Sequence, residues 1–163
     1  MFTRDARKHC ARLTRVQGHH APAGGVRGGS ASPKANTSML EQELNQFGRR
    51  LRLPRLSFSP DGLAALDVER MGRLHLEKGG KPGAEELLVY LARPCPAHDR
   101  EAPERALELC HYRHPRPFPL SAGVHGDQLI MLTRLPEREA TAAGMEKAVL
   151  MLADVMNKAV QGV

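Results

Sequence analysis

The chain has 163 residues, enough for one domain with length to spare, and a formal net charge of +6 with a pI near 9.7. The charge sits at one end: residues 1–38 hold seven Lys/Arg and one acid (Asp5), leaving 17 basic and 17 acidic residues for 39–163. A neutral domain lacks the positive face that a phosphate backbone needs, and three cysteines (Cys10, Cys95, Cys110) argue against a disulfide-framed secreted fold.

No apolar run approaches the roughly 18–20 residues of a membrane span, and the N-terminus lacks the apolar stretch of a secretory signal. Residues 1–38 carry few large apolar side chains. Gly18–Gly25 and Gly28–Pro33 are low-complexity stretches that cannot bury enough surface to fold. Two readings of this segment stay open: a real, disordered basic arm, or an over-extended gene start ahead of Met39. The domain proper is 39–163.

From Leu40, apolar residues at Leu40, Leu44, Phe47 and Leu51 mark one face of a helix, with Ser38 and Glu41 in capping-box spacing and Pro54 as the stop. Ser59-Pro-Asp-Gly62 is turn chemistry, and Leu63–Val68 is the first strand. In Gly72–Glu77, Gly72, Leu74 and Leu76 share one face and Arg73, His75 and Glu77 the other, a strand with one wet side. Lys78–Gly83 reads as a loop, and Leu87–Ala92 as a largely apolar strand closed by Pro94 and Pro96. A central helix within Asp99–Tyr112 carries Ala102, Ala106, Leu109 and Cys110 on its stripe. Pro115, Pro117 and Pro119 stiffen an extended connection. Pro119–Val124 and Gln128–Arg134 form two more strands around the turn His125-Gly-Asp127. Ala142, Met145, Val149, Leu152 and Met156 line a closing helix that Gly162 ends. The predicted fold is α+β, one domain of order α-β-β-β-α-β-β-α, an antiparallel sheet with helices on one face.

Chemistry is sparse in this chain. Cys95, His98 and Cys110, with His111 and His114 nearby, have ligand types suited to zinc, but Cys95 lies between two prolines and Cys110 lies on an apolar stripe, where cysteine behaves as a small hydrophobe. His9, Cys10, His19 and His20 lie in the arm, which offers no preorganised geometry. Lys78-Gly-Gly-Lys-Pro-Gly83 lacks the spacing and the Lys-Ser/Thr ending of a phosphate loop, and no Ser sits in a Gly-x-Ser-x-Gly elbow. No catalytic set, metal site or cofactor is expected. Absence of Trp and only six Phe and Tyr argue against base stacking. Met131, Met145, Met151 and Met156 are read two ways, as core filling or as an adaptable surface for irregular partners. The stretch Leu129–Leu132 is apolar on both faces, which one helix layer cannot cover, so a second subunit is expected.

The stretches Gly72-Arg-Leu-His-Leu-Glu77, Leu87-Leu-Val-Tyr-Leu-Ala-Arg93, Pro119-Leu-Ser-Ala-Gly123, Gln128-Leu-Ile-Met-Leu132 and Leu135-x-Glu-Arg138 resemble SycN-type chaperones of type III secretion systems. The resemblance covers roughly 40–160 and rests on the order and wording of elements rather than on one diagnostic residue. It implies a small bacterial cytosolic chaperone without ATPase activity, dimeric, paired with a YscB-type co-chaperone. Together the two would bind the N-terminal region of a YopN-type gatekeeper and so regulate secretion, with peripheral contact at the inner-membrane face of the apparatus. Such clients wrap as extended segments, adding strands at sheet edges. Carried onto this chain, Leu44, Phe47 and Leu51 would form a client groove, and Leu107, Leu109, Leu129 and Met131 the subunit interface. On this reading, Asp at Leu44 and Phe47 would abolish client capture with the fold intact. Two departures stand: relatives usually begin near Met39, and they are usually acidic where this domain is neutral. Alternative readings are a nucleic-acid-associated protein acting through the basic arm, and a zinc protein using Cys95, His98 and Cys110.

Overall fold

A computed structural model describes residues 38–81, 84–96 and 98–162. The arm with His9, Cys10, His19 and His20 lies outside the described residues, as do the two residues at the tip of the 78–83 stretch.

Helix α1 spans Met39–Arg50. Ser38 caps it, its hydroxyl accepting the Glu41 N–H at 3.3 Å, which is one half of the expected capping box. The Glu41 carboxylate instead lies 3.6 Å from the Lys78 ammonium, tying the helix start to the sheet. Strands β1 (Leu63–Val68), β2 (Gly72–Lys81) and β3 (Ala84–Pro94) form a meander. Helix α2 (Glu101–Leu109) leads to the hairpin of β4 (Leu120–His125) and β5 (Gln128–Pro136). A 3₁₀ turn at Glu137–Glu139 precedes α3 (Ala142–Gln161). The five strands lie in the order β1-β2-β3-β5-β4, every neighbouring pair antiparallel. Fold class and element order are those predicted.

Two boundaries differ from the sequence reading. The stretch expected to be a loop from Lys78 is strand: Lys78 pairs with Leu87 and Lys81 with Ala84. Backbone ladders need no apolar side chains, so pairing runs on past the helix layer, where the alternating signal fades. Gly80 holds a φ of +92° there, a conformation open to glycine. The central helix stops at Leu109 rather than near Tyr112. Arg116 donates from Nε and Nη2 to the Leu109 carbonyl at 3.3 and 3.2 Å, satisfying one of the final orphan acceptors.

The register places Leu74, Leu91, Met131 and Ala122 in one cross-sheet row, and Leu76, Val89, Thr133 and Leu120 in the next, all facing the helices. Helix α3 covers the middle of that face, packing on β3 and β5, with α1 and α2 leaning against it. Its apolar stripe is buried as expected, and all four of Met131, Met145, Met151 and Met156 lie in the core, which decides between the two readings of the methionines. Thr133, a buried polar residue of this face, donates its hydroxyl to the Pro119 carbonyl at 2.6 Å.

Polar side chains join the helices. Glu43 accepts the Ala142 N–H at 2.7 Å, an anion at the N-terminus of α3, and Thr141 caps the same end. Arg105 of α2 donates to the Ala159 carbonyl at 2.7 Å near the other end of α3. Gly48 is the point of closest approach of α1: a Cβ there would lie 2.7 Å from that of Leu56.

Candidate functional site

Leu44 and Phe47 are fully buried in this chain's own core, where another chain cannot touch them. The expectation that Asp at these positions leaves the fold intact is thereby overturned: each change would place a carboxylate inside the core without a partner. Leu51 is half-buried at the C-terminal end of α1 and packs against the core from outside, as do Leu40, Leu53 and Phe58. Phe58 has the Lys78 ammonium 4.6 Å above its ring. Partly exposed apolar side chains therefore follow α1 and the segment after it, packed on the core that encloses Leu44 and Phe47.

The second surface lies where α2 packs on β4. Leu107 is 60% exposed, Tyr112 82% and Val124 53%, while Leu109 is half-buried. Leu129 and Met131 are inaccessible: they lie on β5, the neighbour of β4 in the sheet, paired with Val124 and Ala122, and are fully buried in the chain's own core. Of the four residues expected at a subunit interface, the structure thus puts one in the open, one half-buried and two inside the core. Tyr112 and Val124 were missed from the sequence because each is a lone apolar residue in a polar or glycine-containing stretch.

The face of the sheet away from the helices is half-covered at best. Across it run Ala65, His75, Tyr90 and Leu132, one per strand in register, with Ile130 and Leu88 beside them. His75 stacks flat on Tyr90 with ring centroids 4.6 Å apart, and Tyr90 donates to Glu77 at 3.3 Å. Burial, then the Arg73 cation, lowers the His75 pKa against the opposing pull of Asp67 and Glu77. Burial and Glu77 raise that of Tyr90. The wet side expected for β2 is this face. Strands β1 and β4 are the sheet's two edges, so among the described residues each has one side without a strand partner.

Cys95 is buried and its thiol donates to the Asp99 carbonyl at 3.8 Å. Cys110 is half-buried just past α2, and His98 is exposed. Burial pushes both thiol pKa values up, away from the thiolate a metal requires. Among the described residues no three His, Cys, Asp or Glu side chains gather as a metal set. No described helix is long and apolar enough to cross a membrane.

A cavity of about 190 Å³ opens beside the start of α1. Met39, Leu40, Leu87 and Ala140 give it an apolar lining, and Glu85, Glu86, Glu137 and Lys78 its polar groups.

A search of curated protein sequences returns no match. Among solved structures, the Yersinia pestis type III secretion chaperone SycH, crystallised with a stable fragment of YscM2, superposes with a TM-score of 0.56 at 14% identity. That match covers 76% of this chain and 98% of SycH. The chaperone–effector complex of HopA1 and SchA gives a TM-score of 0.61 at 14% identity, covering 79% of this chain and 99% of that one. At such identities these likenesses speak for the fold. The sequence family described as type III secretory system chaperone SycN matches residues 39–160, well over half the chain and the whole α-β-β-β-α-β-β-α unit from α1 to α3. The chain belongs to the SycN family of type III secretion chaperones.

Proposed function

We propose that this type III secretion chaperone pairs with a YscB-type co-chaperone, and that the pair holds the N-terminal region of a YopN-type gatekeeper in a secretion-competent form. The observation that carries the reading is the distribution of exposed apolar residues. Leu107, Tyr112 and Val124 are exposed on α2, just after it and on β4, which packs against α2, and partly exposed Leu51, Leu53 and Phe58 lie at the end of α1 and after it. Two separate apolar surfaces on a chain without a metal set among its described residues suit a protein that acts by being covered twice, once by a subunit and once by a client. The interface would use Leu107, Leu109, Tyr112 and Val124, with Leu129 and Met131 buried on β5, the strand that pairs with β4. The client would lie along Leu51, Leu53 and Phe58, with Leu44 and Phe47 enclosed and holding α1 on the core, and would add a strand to a sheet edge. Binding alone is the activity, no catalysis is involved, and the site of action is the bacterial cytoplasm, including the inner-membrane face of the apparatus.

The test is co-expression of this chain with a YscB-type protein and a YopN-type protein, followed by affinity purification on a tag carried by this chain. All three should elute together. A double variant, Leu51→Asp with Phe58→Asp, should keep the co-chaperone and lose the gatekeeper. Elution of the wild-type chain without the gatekeeper would overturn the reading.

A further inference from the structure

We propose that the arginine-rich turn at the end of α1 docks an acidic segment of the client, with carboxylates on Arg49, Arg52 and Arg55 and apolar side chains on Leu51 and Leu53. The client's place along this stretch rests on the proposed function, and the acidic chemistry of the occupant is the added statement. Between Glu43 and Asp61 the chain has four arginines and no acid. Neutral as a whole, the domain is thus strongly basic at this one place. Arg50 pairs with Glu146 of α3 at 3.1 Å. The other three are exposed, and among the described residues their side chains have no hydrogen-bond or carboxylate partner.

The backbone gathers these residues into one turn. The Arg52 N–H donates to the Arg49 carbonyl at 3.0 Å and the Leu53 N–H to the Gly48 carbonyl at 2.9 Å, the paired bonds of a Schellman stop. The chain then returns to the helix, where buried Leu56 lies against Gly48. Arg52 occupies the left-handed position of the stop, with φ of +60°. A Cβ is disfavoured there and glycine is the usual occupant, so backbone preference does not explain an arginine. Arg49 and Arg50 complement the negative end of the helix. Arg52 and Arg55 lie past the last turn and add like charges that repel. An acidic ligand removes that repulsion, since guanidinium forks match carboxylates. Leu51 and Leu53 alternate with the arginines, half-buried on the core. Held in that way they offer a seat to apolar side chains but cannot insert into a bilayer. No aromatic residue occurs in 49–55 to stack on a base, and a single turn is too short to track a phosphate backbone. Residues 1–38 carry the same sign of charge, which disfavours them as the occupant.

Fluorescence anisotropy of the full chain with a labelled peptide of Glu-Leu-Glu-Ser repeats tests the surface. The peptide should bind at low salt, and its analogue with Gln for every Glu should not. The triple variant Arg49→Gln, Arg52→Gln, Arg55→Gln should weaken the peptide about tenfold, as three exposed pairs each worth roughly twofold. These side chains are exposed, so the variant keeps the fold. A control variant, Arg4→Gln, Arg7→Gln, Arg12→Gln, removes as much charge and should change the affinity by less than about twofold. Arg52→Gly alone should raise the thermal midpoint while weakening the peptide, a combination that an arginine serving only the fold would not give. In the co-expressed complex the triple variant should lose the gatekeeper and keep the co-chaperone. Undiminished affinity in the triple variant, equal loss in the control variant, or a gatekeeper retained in full would overturn the proposal. So would a loss confined to phosphatidylserine vesicles or to duplex DNA. The synthetic peptide separates the two readings: a gatekeeper that never binds the wild-type chain, with the peptide still held through Arg49, Arg52 and Arg55, would overturn the client's identity and leave the docking surface in place.

Discussion

Leu44, Phe47 and Leu51 share one stripe of α1, yet they have different physical situations. The first two are wholly enclosed, and Leu51 is half-buried at the end of the helix. Truncating an enclosed leucine costs about 2–5 kcal/mol. Replacing it with Asp adds the burial of an unpaired carboxyl and brings the loss into the range of a whole domain's stability, about 5–15 kcal/mol. Leu44→Asp or Phe47→Asp should therefore abolish the cooperative thermal transition in circular dichroism, whereas Leu51→Asp should lower the midpoint while preserving it. If Leu44→Asp melted like wild type, the placement of α1 against the core would be wrong. His75 supports a second expectation at this scale. Its folded pKa is depressed, by burial first and by Arg73 second, relative to an unfolded value of about 6.5. The unfolded chain thus binds the proton more readily, and stability falls as pH drops through and below that value. Urea midpoints should decline between about pH 7.5 and about pH 5.5, and His75→Gln should flatten part of that decline. An unchanged slope in the variant would move the effect to other groups.

Among the elements, the α2–β4 pair is the least covered. Helix α2 has nine residues with only Ala102 and Ala106 enclosed, and Leu107 points away from the core. A side chain already 60% exposed contributes little to the stability of a single chain, so Leu107→Asp should leave the melting profile of the isolated chain nearly unchanged. The same substitution should break pairing with a second subunit by burying a charge at the contact, lowering the mass seen by light scattering to that of one chain. Retention of the paired mass would remove α2 from the interface. The elements themselves were largely readable from the chain. Period-two alternation in Gly72–Glu77 and the helical spacing in Ala142–Met156 each reflect a one-sided burial that acts locally. The strand extension through Lys81 was not readable, because glycine and lysine carry no amphipathic signal and the ladder to β3 runs through backbone groups.

At the scale of the molecule, charge and function separate. The chain's net charge of +6 belongs to residues 1–38, and the domain matched to the SycN family is neutral. Neutrality, exposed apolar residues and, among the described residues, two sheet edges without a partner strand are what the proposed pairing and client binding would use.

The amino-acid order was sufficient for the class of fold, the succession of elements and the family resemblance, because each rests on patterns within a dozen residues and on their succession. It could not say which apolar residues stay outside. Leu44 and Leu107 are both leucines on short amphipathic helices, and only the packing of α3 across the sheet encloses one and leaves the other in water. Exposure is a property of distant contacts: the helix layer over Met131, α3 against α1 and its Leu44. The exposed apolar residues on which the proposed partner surfaces rest therefore emerged only once the chain was folded.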